Sequence, residues 1–588
     1  MRFRVWAPAA RTVEVEIGAS PERTPLERDA NGVWSAIVPG ARQGTRYAYW
    51  LNGELRRPDP YSRFQPEGVH GPSEVVDPDA YAWRDAGWRG LPIHGLVIYQ
   101  AHVGTFTPEG TLDAFARELP RLKSLGVSAV QLLPVPEFPG DRNWGYDGVD
   151  LFAVSRAYGG PIALKRFVDA AHALGLGVIL DVVYNHFGPD GNYLRDFAPD
   201  YFTTRYHTPW GEAVNYDGPN SARVREMMID NARYWVREYH ADGLRLDATH
   251  AVHDASPRHI LAEITRAARA EAGPHRGVVL IAETGENDVR YLTSVQSGGF
   301  GFDAVYADDF HHSLRRYLAG DHEGYYADFE GTLEEVARCI SQGWLYEGQA
   351  TFRSHGERRR GTPAREQPAW QFLYVLQNHD QVGNRAFGER LHHQVGIERF
   401  AAASALLLFL PFTPMLFMGQ EFGASSPFQY FTDHNLELGR LVTEGRRREF
   451  QAFSAFADAA TRERIPDPQS EAAFKASTLR LGEAETHPGS DLLAWYSALL
   501  ELRREDPVLM DQSRERMAAR ALSRDVLSVV RWSAAERRLL LVNFGDTPFT
   551  TSEFGGDWRV VLSREGAASD TRALHIPARA ASILARAA

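Results

Sequence analysis

The sequence predicts an α/β protein: a (β/α)8 TIM barrel flanked by an N-terminal β-sandwich and a C-terminal β domain. Three observations carry that expectation. Eight short apolar runs, each fitting a buried parallel strand, recur between residues 96 and 418. Amphipathic stretches with a helical period lie between them. Four of the runs end in charged or hydrogen-bonding clusters: Asp181-Val-Val-Tyr-Asn-His186, Gly243-Leu-Arg-Leu-Asp-Ala-Thr-His250, Leu280-Ile-Ala-Glu283 and Leu376-Gln-Asn-His-Asp380. The C-terminal strand ends of such a barrel share one rim, so these clusters are expected in one polar pocket.

In chain order, residues 1–90 alternate apolar and polar positions between turn signals such as Asn31-Gly32, Pro39-Gly40 and Asn52-Gly53. That pattern fits an immunoglobulin-like β-sandwich. Residues 91–508 hold the barrel, with strands at Leu96–Val103, Val127–Val135, Gly177–Tyr184, Gly243–Ala248, Val278–Glu283, Phe302–Ala307, Phe372–Gln377 and Met415–Met418. Helical stretches such as Asp113–Leu125, Ala163–Leu174 and Ala222–His240 sit between them. The 36 residues from Asp247 to Glu283 fit one helix and one strand with their loops, whereas the 66 from Asp181 to Asp247 are too many. The excess lies at 187–220, rich in Tyr, Pro, Gly and Asp, and is expected to be a loop insertion after strand 3. Residues 509–588 return to strand patterns, as in Val526–Trp532 and Leu539–Asn543.

Composition narrows the partners. A net charge of −12 over 588 residues disfavours nucleic acid, because phosphate binding needs a basic face. Cys339 is the lone cysteine, which excludes an intramolecular disulfide and fits a reducing cytoplasm. The start, Met1-Arg-Phe-Arg-Val-Trp, alternates like a strand, so no targeting segment is expected. Pro411 and Pro414 interrupt the apolar stretch from Ala401 to Gly419, so it is expected to be a buried helix and a strand, not a membrane span.

Three acids at one rim suit glycosidic-bond cleavage, which needs a proton donor and a nucleophile or base at the anomeric carbon. Asp247 lies two residues beyond Arg245, so both side chains face the same side of a strand. A neighbouring guanidinium keeps an aspartate ionised, as a nucleophile requires. Glu283 follows apolar Ile281-Ala282 near other carboxylates, which favours the protonated form of a general acid. Asp380, beside Asn378 and His379, suits holding sugar hydroxyls. Any one of these acids alone could be a helix cap or a satisfied ion pair, but four such strand ends in one chain are not explained that way.

These four segments resemble the signature regions of the α-amylase family of glycoside hydrolases. The resemblance implies retaining chemistry with Asp247 as nucleophile, Glu283 as acid/base and Asp380 as transition-state stabiliser. It makes Asp181, Arg245 and His379 supporting groups and sets His186 on the sugar in the cleaved subsite. Tyr146, in Asn143-Trp-Gly-Tyr-Asp-Gly148, is similar to the family's stacking tyrosine. Further segments are similar to family members that act on maltooligosyltrehalose: 65–72, 100–111, Gly159-Gly-Pro161, Asp308–His312, Asn378–Asn384 and 427–433. That likeness implies hydrolysis of the α-1,4 bond next to a terminal trehalose, with a maltooligosyltrehalose synthase as functional partner. Substrate contacts are then expected from Arg245, Leu246, Ala248, Thr249 and His250, from Asp308, Asp309, Phe310, His311 and His312, and from His379, Gln381, Val382, Gly383 and Asn384. One difference stands: Thr284-Gly-Glu-Asn-Asp288 follows the acid where Ser-Asp-Leu-Asn-Asp is expected.

The same resemblance leaves two other functions to weigh. A glucan branching or debranching enzyme would share the catalytic acids. A noncatalytic glucan-binding protein would be expected to have lost one of them. No cofactor is implied and no metal is expected. Asp308-Asp-Phe-His-His312 has metal-binding residue types but lacks a His-x-His pair on strand 1, where only His102 stands. Asn185, a calcium ligand in many amylases, has no recognisable partners in the insertion. Trp144 and Trp210 fit apolar anchors, with a sugar platform as the alternative.

Overall fold

The computed structural model describes residues 1–18, 20, 22–350, 359–564, 568–569 and 573–588. Eight parallel strands close a barrel, labelled β1 (Ile98–Ala101), β2 (Ala129–Leu132), β3 (Gly177–Val182), β4 (Gly243–Leu246), β5 (Val279–Ala282), β6 (Ala304–Tyr306), β7 (Phe372–Val375) and β8 (Thr413–Phe417). Every residue of these strands is buried, which is why they appear in the sequence as continuous apolar runs. Strand order follows chain order around the barrel, and β8 pairs with β1 to close it. The register sets Asp181 beside Arg245 and Arg245 beside Ile281 on adjacent strands.

The N-terminal residues form two antiparallel sheets. One contains Arg2–Trp6, Val33–Ile37 and Glu27–Arg28; the other contains Arg23–Pro25, Val13–Ile17, Arg46–Leu51 and Leu55–Arg57. Phe3, Val5, Val13, Val15, Trp34, Tyr47, Tyr49 and Leu51 pack between them. After the barrel, Met517–Ser523, Val526–Trp532, Glu536–Asn543, Ala580–Ala587 and Arg559–Ser563 form a five-stranded antiparallel sheet. A smaller sheet centred on Leu574–Ile576 covers one face.

Three segments differ from the sequence expectation. The 187–220 insertion is not a plain loop: it contains a short helix, Leu194–Phe197, and a hairpin of Phe202–Thr208 and Gly211–Val214. The first hairpin strand, Phe-Thr-Thr-Arg-Tyr-His-Thr, has no buried position, so it carries no alternating apolar signal. The stretch Asp113–Leu125 is two helices, Leu112–Ala116 and Leu119–Leu125, because Pro120 starts a new first turn. β8 begins at Thr413, two residues earlier than expected, since Pro414 is tolerated near the start of a strand.

The apolar segment before β8 is the helix Ile397–Phe409, buried from Phe400 onward between the barrel and the C-terminal sheet. Its C-terminal carbonyls are capped by two buried arginines. Arg503 donates to Leu408 O (2.9 Å), Leu410 O and Phe412 O (2.7 Å), and Arg531 donates to Phe409 O (2.6 Å). Among the described residues no helix is long and apolar enough to cross a membrane. After β8 the chain makes a helical excursion, Leu436–Glu449 followed by five short helical segments, before the long helix Gly489–Glu505.

Candidate active site

The pocket is organised by one cation. Arg245, fully buried inside the barrel, directs Nη1 at Asp181 Oδ1 and Oδ2 (both 2.7 Å) and at Asp247 Oδ1 (2.9 Å). Its Nη2 lies 3.5 Å from Glu283 Oε2. Asn185 Nδ2 donates to the second oxygen of Asp247 at 3.0 Å. Both carboxylate oxygens of Asp247 are therefore fixed by hydrogen-bond donors.

Glu283 is held by the strand beside it. Its N–H donates to Leu246 O, and its carbonyl accepts Thr249 N–H (2.9 Å) and Thr249 Oγ1 (2.7 Å). Ala248 takes a left-handed conformation (φ 37°), unusual for a residue with a Cβ, and its N–H donates to Glu283 Oε2 at 2.5 Å. The end of β4 thus aims the glutamate at the end of β5. Burial raises the Glu283 carboxyl above its ordinary range; Arg245 opposes that shift, and Asp247 and Asp380 add to it.

The remaining acids feel the same environment. Asp181 and Asp308 are each pushed up to about 7, and Asp380 to about 6, burial being the first cause in each. Asp380 contacts His379 Nε2 (3.3 Å) and accepts Asn384 Nδ2 (3.3 Å). Tyr146 lies flat against His379, with ring centroids 5.3 Å apart, and its hydroxyl contacts Asp181 Oδ2 (2.9 Å) and His379 Nε2 (2.8 Å). Burial and Arg245 hold His379 neutral, well below the usual histidine range. The ring nitrogens of His186 lie against Asn185 Oδ1 (2.6 Å) and Tyr146 O (3.0 Å).

Thus Asp247, Glu283, Asp380, Asp181, Arg245, His379, Tyr146, His186 and Asn384 share one connected site. Asp308 joins it through Gln381, whose Nε2 donates to Asp308 Oδ1 at 3.1 Å. Gly383 packs under Trp144, where an added Cβ would come within 2.1 Å of the ring. His250 and Thr249 line the adjoining groove. Other residues of the expected contact set turn into the protein. Leu246 and Val382 are buried in the wall, and Phe310 stacks on Tyr374 (4.4 Å). Asp309 is occupied by Asn287 Nδ2 (2.7 Å), Leu345 N–H, Tyr346 N–H and Arg360 Nη2 (2.8 Å). His311 is spent on Leu376 O (2.7 Å) and Tyr326 OH (3.1 Å), and His312 is enclosed by Tyr325, Tyr326 and Phe329. Among the described residues, no group of three or more His, Cys, Asp or Glu is arranged to hold a metal.

Residues outside the expected set also build the site. Gln100 Oε1 accepts the His379 N–H at 3.0 Å and faces its Nδ1 at 3.2 Å. Gln131 donates to Tyr306 OH (3.0 Å), whose ring lies 5.4 Å from the Arg245 guanidinium carbon. The available signal was a lone glutamine at matching positions of two apolar runs, Tyr99-Gln-Ala and Val130-Gln-Leu, which pair side by side. Trp144 is a buried anchor stacked on Phe428 (5.2 Å), whereas Trp210, at the hairpin tip, is 44% exposed and stacks on His186 (5.3 Å).

A closed parallel barrel with a carboxylate cluster around one arginine at its C-terminal rim defines a glycoside hydrolase of the α-amylase class. Residues 77–213 match the alpha amylase catalytic domain model, 1–77 match carbohydrate-binding module 48 (isoamylase N-terminal domain), and 515–583 match a domain of unknown function (DUF3459). A Deinococcus radiodurans malto-oligosyltrehalose trehalohydrolase is 45% identical over 570 residues, covering 96% of this chain and 92% of the relative. One from Arthrobacter ramosus is 48% identical over 512 residues, covering 86% and 88%. A Salmonella typhimurium crystal structure assigned to the alpha amylases superposes with a TM-score of 0.91 at 35% identity, covering 100% of this chain and 97% of that one. The chain belongs to the malto-oligosyltrehalose trehalohydrolase family.

Proposed function

We propose that this enzyme hydrolyses the α-1,4-glucosidic bond adjacent to the terminal trehalose of maltooligosyltrehalose, releasing trehalose and a maltooligosaccharide. The observation that carries the chemistry is the unequal treatment of two acids around Arg245. Asp247 receives a full guanidinium hydrogen bond and an amide, which orient it as the nucleophile. Glu283 touches the same guanidinium only at 3.5 Å and is pushed toward its protonated form by burial. It protonates the leaving oxygen as Asp247 attacks the anomeric carbon. With the aglycone gone, the glutamate carboxylate takes a proton from the water that releases the sugar, with net retention. Asp380, partly exposed at the rim, binds sugar hydroxyls and favours the oxocarbenium-like distortion. Tyr146 and His186 flank the same sugar.

The trehalose specificity is supported by the names of the relatives and by the segments 100–111 and 308–312. In this reading a synthase that makes maltooligosyltrehalose acts upstream, and the lone, buried cysteine suits work in the cytoplasm. The chain divides near residues 90 and 508 into a sandwich, a catalytic barrel and a C-terminal sandwich. The test is to incubate purified enzyme with maltopentaosyl-trehalose and, separately, with maltohexaose, amylose and glycogen. Rapid trehalose release with slow attack on the other three is expected. Formation of new branches, or release of linear chains from branched glucan, would replace this function with that of a branching or debranching enzyme.

A further inference from the structure

The helix Leu436–Glu449, part of the excursion after β8, has Gly439 as its one fully buried residue, yet it sends the Arg446 side chain into the active-site wall. Arg446 Nη2 donates to Gly383 O (2.6 Å) and Nη1 donates to Asn384 Oδ1 (3.1 Å). Its guanidinium is gripped between two rings, 4.3 Å from the centroid of Tyr430 and 4.8 Å from that of Phe450. Asn384 in turn donates through Nδ2 to Asp380 Oδ1. An amide has one accepting and one donating end. A cation fixed on the Oδ1 end therefore leaves only the Nδ2 end to face the carboxylate.

We infer that Arg446 is a positioning residue for the reaction: through Asn384 it locks a hydrogen-bond donor onto Asp380, and its charge helps keep that carboxylate ionised at the rim. The inference rests on the proposed role of Asp380. The helix bearing Arg446 is tied to the rest of the rim around it. Asn435, its N-cap, donates to Asp190 Oδ2 (3.1 Å), and Arg142 pairs with Asp433 just before it. Beyond its C-terminal end, Ser454 N–H donates to Glu323 Oε2 (2.8 Å), while Phe453 packs edge-on against Tyr325 (5.5 Å). Arg446 thus conveys the seating of an otherwise surface helix to a carboxylate in the pocket.

Asp380 is faced by titratable groups of both signs. Arg245, Asp247 and the neutral His379 face it from inside the barrel, Glu283 and Asp308 from the neighbouring strand ends, and Arg446, Glu449 and the neutral Tyr325 from the outer wall. Arg245 and Arg446 are the cations that favour its ionised form, and the Asn384 hydrogen bond acts in the same direction. Loss of Arg446 removes one cation directly and frees the amide to turn away. Both changes raise the Asp380 pKa, so the fraction of enzyme with the carboxylate ionised falls on the acid side.

The test uses the full-length enzyme and its pH profile on maltopentaosyl-trehalose. Arg446→Met is expected to lower kcat about tenfold with KM nearly unchanged, and to move the acid limb of kcat/KM to higher pH. Arg446→Lys, which keeps the charge without the two-pronged grip, is expected to restore the limb but only part of kcat. Asn384→Ala combined with Arg446→Met should be less damaging than the two single effects multiplied, since both act on one carboxylate. An unmoved acid limb in Arg446→Met, with a lowered melting temperature alone, would reduce Arg446 to a structural peg and overturn the inference. Asp380→Ala separates the two layers. If that variant keeps near-normal kcat, the role of Asp380 itself fails; if it is inactive while Arg446→Met behaves like the parent, only the relay fails.

Discussion

At the scale of residues, the site contains groups held in forms that cost stability. Burial raises the Glu283 pKa, so the folded chain keeps a proton there at pH values where the unfolded chain has released it. By linkage, stability falls as pH rises from the ordinary carboxylate range through that raised value. Glutamine imitates the protonated acid without this penalty. Glu283→Gln is therefore expected to melt above the parent at pH 8, with the gain shrinking toward pH 4, while turnover drops about a thousand-fold. Calorimetry at the two pH values measures the first effect and trehalose release the second; a variant that melts lower at pH 8 contradicts the account. Asp247→Ala is expected to be as inactive, and near-normal turnover would remove it as nucleophile. The acids were legible in the sequence because each ends an apolar run. The orientation of Asp309 and His311 was not. A buried carboxylate answering two backbone N–H groups uses the same residue types as one answering a sugar, and only the fold decides which partner is within reach.

At the scale of elements, the barrel strands were legible because burial on both faces writes them as unbroken apolar runs. The hairpin Phe202–Thr208 with Gly211–Val214 was hidden for the opposite reason, since its first strand has no fully buried position. That hairpin has a consequence for binding. Its tip carries Trp210, 44% exposed and stacked on His186 beside the catalytic cluster. A large exposed ring held beside a polar pocket offers an apolar face of the kind a pyranose covers. Trp210→Ala is expected to raise KM for long substrates about tenfold, with a smaller change in kcat and no change in melting temperature. Initial-rate kinetics on maltooligosyltrehaloses of increasing length check this. An unchanged KM would make the tryptophan a surface residue without a role in binding.

At the scale of the whole molecule, the N-terminal sandwich and the barrel share a core through the insertion that carries this hairpin. Phe197, fully buried, belongs to the packing cluster of the sandwich and meets Tyr49 edge-on at 6.3 Å. Trp6 meets Tyr201 at 5.2 Å, Arg57 pairs with Asp196 at 2.5 Å, and His70 lies 3.2 Å from Asp190. The insertion returns to the site through Tyr216, whose hydroxyl donates to Tyr184 O (2.6 Å), one residue before Asn185. The sequence divided these regions near residue 90, because long-range pairs such as Tyr49 with Phe197 leave no periodic signal in either segment. If the sandwich braces the insertion, emptying that contact must be felt both in stability and in the site. Phe197→Ala removes a buried ring at a cost of about 3 kcal/mol. It is expected to split a low-temperature transition from the main unfolding event and to raise KM, because the insertion also carries Trp210. Phe549→Ala, a partly buried residue in the C-terminal sheets, is expected to leave KM alone. Calorimetry paired with kinetics distinguishes the cases: a lower melting temperature for Phe197→Ala with parental KM would mean that the sandwich stabilises the chain without bracing the substrate site.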